Sequence, residues 1–330
     1  MQRIGIIGAG AWGTALAQTL ARAGRTVVIW AHHAATAAAI NETHGNPVYL
    51  PGIALEPGIH ATAALDEAAA ADVVLLATPA QHLREIAGRL PMPPGVPAVI
   101  CAKGIEVRTG RLLTEVLAEA APGTPRAVLS GPTFAAEVAR GLPTAVTLAC
   151  ADRPLGERLV AALGSRALRP YLSDDPIGAE IGGAAKNVMA IACGIVVGHG
   201  LGENARAAII TRGLAEMMRL AEAKGGRAAT LMGLSGLGDL TLTCTSPQSR
   251  NYSLGVALGE GRPLAAVLAG RHSVAEGVTS APAAVALAAR LGIEMPIAAG
   301  VDAILHRGAA IAAVVESLLS RPFRAEGHPT

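Results

Sequence analysis

Residues Gly8-Ala9-Gly10-Ala11-Trp12-Gly13 fit the spacing G-x-G-x-x-G, and their setting constrains the fold more than any other stretch. An apolar run (residues 4–7) precedes them. A helix-like stretch (residues 14–23) follows and stops at Gly24, and the β-branched run Thr26–Trp30 comes next. Strand, glycine turn, helix and strand in that order make a βαβ unit of the dinucleotide-binding kind. Gly8 permits the tight turn, Gly10 lets a pyrophosphate approach the backbone, and Gly13 lets helix and strand pack closely. The pyrophosphate meets the unpaired N–H groups and the positive dipole end of the helix.

The same alternation continues. Residues 72–77, 96–102 and 126–129 read as buried strands, with helical stretches at 81–90 and 111–120 between them. Continuous apolar strands separated by helices imply a mostly parallel sheet covered on both faces. Residues 144–150 and 167–171 read as additional strands. From about Asp175 the β pattern stops, and stretches 177–197, 205–223, 254–258, 281–291 and 297–305 read as helical, interrupted by a Gly-rich loop at 233–250. The expected fold is therefore an α/β Rossmann-type doubly wound sheet followed by an all-α domain, with the boundary between residues 1–175 and 176–330.

Several classes are excluded by composition. At 330 residues, 51% hydrophobic and 16% charged, the chain has material for two packed domains and is not disordered. Its 27 basic and 25 acidic residues are dispersed, which argues against nucleic acid as a partner. Cys101, Cys150, Cys193 and Cys244 lie far apart, which suits neither a zinc site nor a disulfide framework, so no metal is expected. The N-terminus does not read as a signal peptide. The apolar stretch 188–197 is about half the length of a spanning helix, so no membrane span and a soluble, cytoplasmic protein are expected.

At the end of the second strand an acidic residue would bind the ribose 2′-hydroxyl of NAD. Ala31-His32-His33 stands there instead. With no carboxylate to repel a 2′-phosphate, the choice tilts toward NADP, while the lack of arginine keeps NAD open. The two histidines read equally as cofactor contacts or as exposed loop residues.

Three further segments concentrate polar groups. Lys103 directly follows a buried-strand run, so it faces either the crevice outside the strand ends or solvent. Lys186 sits with Asn187 in an Ala/Gly/Val helix almost without other charge. A lysine there loses solvation of its charged form, which suits proton transfer, unless it snorkels to the surface. The Gly-rich segment carries Asp239 and then Ser249-Arg250-Asn251, whose guanidinium and neutral donors suit a phosphate.

This set resembles the bacterial NAD(P)-dependent glycerol-3-phosphate dehydrogenases. The matching stretches are residues 8–15, 101–106, 130–135, 180–187, 234–251 and 274–278, in the family's order and across most of the chain. The resemblance implies reversible reduction of dihydroxyacetone phosphate to sn-glycerol 3-phosphate, feeding phospholipid synthesis. Lys186 would be the acid/base, with Asp239 ordering the proton relay. Lys103 would touch both substrate and cofactor, and Ser249, Arg250 and Asn251 would bind the phosphate, with Arg250 also near the cofactor. Gly131 and Thr133 would line the substrate site, while Ala11, Trp12, Ala135, Val274 and Glu276 would contact the dinucleotide. The family usually has Ser at Ala11 and commonly an Arg near His32 or His33; these touch cofactor affinity and preference, not chemistry, while Thr133 replaces a frequent Ser with its hydroxyl retained. The competing readings are another two-domain dehydrogenase of the β-hydroxyacid or ketopantoate type and a non-catalytic dinucleotide sensor. The apolar helical half makes a homodimer plausible.

Overall fold

The computed structural model describes residues 1–269 and 275–322, and the chain divides into two compact units. The first comprises Met1–Glu106 and Arg111–Glu180, the second Val107–Gly110 and Ile181–Thr330.

In chain order the strands are β1 (Arg3–Ile7), β2 (Thr26–Trp30), β3 (Gly45–Asn46), β4 (Leu50–Ala54), β5 (Ile59–Thr62), β6 (Val73–Leu76), β7 (Ala98–Ile100), β8 (Arg126–Ser130), β9 (Thr144–Ala149) and β10 (Leu168–Ser173). β3 and β4 pair separately, and the other eight form one sheet in the order β10-β9-β8-β7-β6-β1-β2-β5. Every pairing in that sheet is parallel except β8 with β9. Successive side chains explain why the strands read as unbroken apolar runs. Ile4, Ile6, Val27, Ile29, Val73 and Leu75 enter one core cluster. Ile7, Val28, Trp30, Val74 and Leu76 enter the other, on the opposite face. Each fully buried Ile or Leu contributes about 1.5–3 kcal/mol.

After β1 the chain moves outward through β2 to β5, then returns to lay β6, β7 and β8 on the other side. The reversal falls between β1 and β6. In open sheets of this kind the crevice outside the carboxyl ends at such a reversal is where ligands bind.

Among the described residues the second unit has no strand. Its principal helices are Pro176–Gly198 (which starts in the last residues of the first unit), Gly202–Ala223, Arg250–Gly259, Glu276–Arg290, Pro296–His306 and Ile311–Leu319. The segment 233–250, expected as a loop, is mostly helical. A π turn at Leu234–Gly238 leads into the helix Asp239–Thr245. Gly236 is there for close approach: a β-carbon on it would lie 2.0 Å from the Leu231 carbonyl oxygen. Leu240 and Cys244, one turn apart, are fully buried and hold the helix to the unit.

The helix Pro176–Gly198, hereafter the lysine helix, is longer than the apolar stretch 188–197 suggested. At 23 residues with a mean hydropathy of 1.6 it has the length and composition to cross a membrane, but 89% of its apolar window is buried inside the protein. It is a core helix. All four cysteines are free and buried, and burial pushes the Cys101 thiol up.

Candidate active site

The glycine turn does what its spacing requires. Gly8 has φ +120°, and a β-carbon there would lie 2.9 Å from the Ala77 carbonyl at the end of β6. A β-carbon on Gly13 would lie 1.9 Å from the Gly8 oxygen, so the first helix, Ala11–Arg22, can meet the turn only through a glycine. Around Gly10, by contrast, a β-carbon would touch nothing within 4 Å. Gly10 is also the helix N-cap, has no side-chain cap, and no acidic residue occupies the first turn. The first N–H groups of that helix thus face an open approach with a positive dipole end behind them. The indole Nε1 of Trp12, the Thr78 hydroxyl after β6 and the Ser130 hydroxyl ending β8 are buried without a hydrogen-bond partner. Native structures seldom leave buried donors unmet. An uncapped helix start and orphaned donors fit an anionic dinucleotide.

Other predicted residues of this unit fall into two groups. Lys103 Nζ donates to the Gly131 carbonyl at 3.1 Å, and the Thr133 hydroxyl donates to the same oxygen at 3.3 Å. Gly131 is buried, with its β-position 2.9 Å from Val146 Cα, so no other residue fits. Ala135 opens the helix Ala135–Arg140 and is half-buried. His32 and His33 are exposed beyond β2, with ring centroids 4.8 Å apart, and His32 lies edge-on to Trp30 at 5.8 Å. No carboxylate stands in that stretch.

In the second unit Lys186 does not snorkel. Its side chain is 8% exposed, and Nζ donates to Asp239 Oδ1 at 2.5 Å and to Thr243 Oγ1 at 2.8 Å. Asp239 is fully buried, so each charge replaces the other's lost hydration. Thr243 in turn donates to the Asp239 carbonyl at 2.6 Å, which turns a lone pair toward the lysine. Thr243 was missed from sequence. It lies four residues after Asp239, on the same helical face, a relation that a loop at 233–250 would not have.

The phosphate candidates sit one helix further on. Ser249 caps the helix Arg250–Gly259, its hydroxyl oxygen accepting from Tyr252 N at 3.2 Å. Arg250 is the first residue of that helix and is exposed. Asn251 is buried; its amide donates to Asn187 Oδ1 at 2.9 Å, and its oxygen accepts from Gly277 N at 3.0 Å. Asn187, noted in sequence only as a neighbour of Lys186, is therefore the link between the lysine helix and Asn251. Glu276 begins the helix Glu276–Arg290 and is half-buried. Val274 lies outside the described residues.

Two further buried groups have raised pKa values. Glu180 accepts from Thr114 N at 2.9 Å and from its hydroxyl at 2.5 Å, yet burial pushes its carboxyl up to about 7. The Cys244 thiol, next to Thr243, is also raised, first by its hydrogen bond with Cys193 and then by burial. That thiol stays protonated and inert.

Two family models match. One, described as the NAD-dependent glycerol-3-phosphate dehydrogenase N-terminus, covers residues 3–155; the other, the C-terminus of the same enzymes, covers 175–316. A glycerol-3-phosphate dehydrogenase (NAD(P)+) of Rhodospirillum rubrum is 59% identical, over 100% of this chain and 97% of the relative. One from Parvibaculum lavamentivorans is also 59% identical, over 98% of each. The crystal structure of a glycerol-3-phosphate dehydrogenase from Coxiella burnetii superposes with a TM-score of 0.93 at 40% identity, covering 97% of this chain and 99% of that one. These matches run through both units, the glycine turn and the lysine cluster alike, and the chain belongs to the NAD-dependent glycerol-3-phosphate dehydrogenase family.

Proposed function

We propose that the protein reversibly reduces dihydroxyacetone phosphate to sn-glycerol 3-phosphate with NADPH or NADH, supplying glycerol phosphate for phospholipid synthesis. The observation that carries this reading is the buried trio Lys186, Asp239 and Thr243 in a chain of this family. A lysine so held is a positioned proton donor, which a sensor without turnover has no use for.

Residues 1–175 are assigned to the dinucleotide and 176–330 to substrate and catalysis. Gly8, Gly10, Ala11, Trp12 and Gly13 would hold the pyrophosphate side, with His32 and His33 near the adenosine ribose and Ala135, Val274 and Glu276 as further contacts. The bound reduced nicotinamide supplies the hydride. Lys186 gives its proton to the oxygen of the substrate carbonyl, and its positive charge stabilises the developing alkoxide. Asp239 and Thr243 keep Nζ in one direction, so little reorganisation accompanies the transfer. Arg250, Asn251 and Ser249 take the phosphate, whose binding orients the carbonyl. Lys103, Gly131 and Thr133 line the substrate site. The bare end of β2, without a carboxylate, favours NADP.

The helix Ile311–Leu319 leaves all its apolar side chains at least partly exposed, which supports a homodimer. Four free thiols are in keeping with a cytoplasmic enzyme. The deciding assay mixes the protein with dihydroxyacetone phosphate and follows oxidation of NADPH and of NADH separately. Turnover is expected with both and a higher kcat/KM with NADPH; no oxidation of either would overturn the proposal.

A further inference from the structure

We infer that the glycines of the lysine helix are positioning residues, setting the Lys186–Asp239 pair at one end and the register of the Arg250–Asn251 helix at the other. This rests on the function proposed above. A β-carbon on Gly182 would lie 2.3 Å from the Ser235 carbonyl oxygen and 2.9 Å from its carbon. Ser235 belongs to the π turn that leads directly into Asp239. Gly182 and Lys186 are four residues apart and share a face. One turn of the helix therefore fixes where the aspartate segment rests, and the next delivers the ammonium to it.

Further along, the contact is reciprocal. Gly194 and Gly198 would put β-carbons 2.1 Å from the Tyr252 oxygen and 2.2 Å from the Val256 oxygen. From the other side, Gly255 and Gly259 would put theirs 2.2 Å from the Ile191 oxygen and 2.5 Å from the Ile195 oxygen. Both helices carry glycines at a four-residue spacing and touch backbone to backbone. Such a contact has no rotamers to yield, so the helix separation is fixed by covalent geometry, in contrast to ordinary side-chain packing. The Asn187–Asn251 hydrogen bond lies at the Arg250–Asn251 end of this seam. A misplacement of about 1 Å in a catalytic array costs up to about a hundredfold in rate, so glycine spacing here bears on turnover as well as on stability.

The two ends predict different kinetic defects. G182A should lower kcat by about tenfold or more and move the pH profile of kcat, with KM for dihydroxyacetone phosphate within about twofold. G255A should raise that KM by about tenfold and change kcat less. G213A is the packing control: Gly213 lies on the helix Gly202–Ala223, and its added methyl first meets the flexible Met189 side chain of the lysine helix, at 2.7 Å from the sulfur, so it should cost stability without either defect. Fluorescence titration should find NADPH affinity unchanged in all three. G259A replaces G255A if the latter does not fold, and saturating NADPH, which binds only the native state, supports G182A. If the wild type turns over but kcat and kcat/KM fall only in proportion to melting temperature in all three variants, G213A included, the positioning role is overturned. If the wild type shows no turnover, the proposed function itself fails, and this inference with it.

Discussion

The nucleotide turn and the lysine cluster solve opposite problems. At the turn, polar groups are left open: the helix starting at Ala11 has no side-chain cap, and Gly10 faces empty space. At the cluster, Lys186, Asp239 and Thr243 already satisfy one another. The first is a backbone surface waiting for charge from outside. The second brings its own countercharge, because a buried ammonium could not be carried through folding without one. A protein can thus keep a recognition site bare when the donors are backbone N–H groups, but a buried side-chain charge needs a permanent partner.

The most severe break in this contrast is Lys186→Ala. Removing the proton donor should lower kcat by about 10²–10⁴-fold while NADPH still binds, since the open turn is untouched; stopped-flow hydride transfer beside a binding titration checks both. Near-normal turnover would remove Lys186 from the chemistry. Gly13→Ala attacks the other side. Its methyl cannot fit 1.9 Å from the Gly8 oxygen, so the turn must move, and NADPH affinity should fall by about a hundredfold. Unchanged affinity would mean that the turn is not the pyrophosphate site.

Arg250→Ala should raise KM for dihydroxyacetone phosphate by about 10- to 100-fold, the worth of a charged hydrogen bond. An equal loss with an unphosphorylated ketone would contradict a phosphate role. Thr243→Val keeps the shape and removes the second lysine partner, and about a tenfold fall in kcat is expected. A value equal to the wild type would leave Asp239 as the sole orienting group.

The smallest effect concerns Glu180. Its carboxyl is raised from the ordinary 4.5 to about 7 by burial, so the folded state holds a proton that the unfolded state releases earlier. Its contribution to stability is full below pH 4.5 and disappears as the pH rises through 7. Glu180→Gln keeps both Thr114 hydrogen bonds possible and removes the titration. Its melting temperature should exceed that of the wild type by a few degrees at pH 8 and match it near pH 4.5, by calorimetry; parallel curves would deny Glu180 this role.

Most of the sheet was legible because its central strands β1, β2, β6, β7 and β8 are buried on both faces and read as unbroken apolar runs. β5 was not: Ile59–Thr62 is four residues with a histidine inside, too short to stand out. The reversal at β9 was also invisible, since apolar periodicity carries no direction. In the second unit the long Ala/Leu helices read cleanly, whereas residues 233–250 did not. Glycine and threonine there mimic loop chemistry, but Gly236 serves backbone contact and Thr243 serves Lys186. The candidate residues were found by pattern and resemblance. Their partners, Asn187 and Thr243, needed the helix geometry.

The four sealed cysteines carry a consequence for handling the protein. Thiols without access to solvent do not exchange, so copies of this chain in air should not become linked to one another through them. The sulfur most open to oxidants is that of Met232, 54% exposed. An ageing preparation should therefore gain oxygen mass in a spectrometer long before it shows a dimer band on a non-reducing gel.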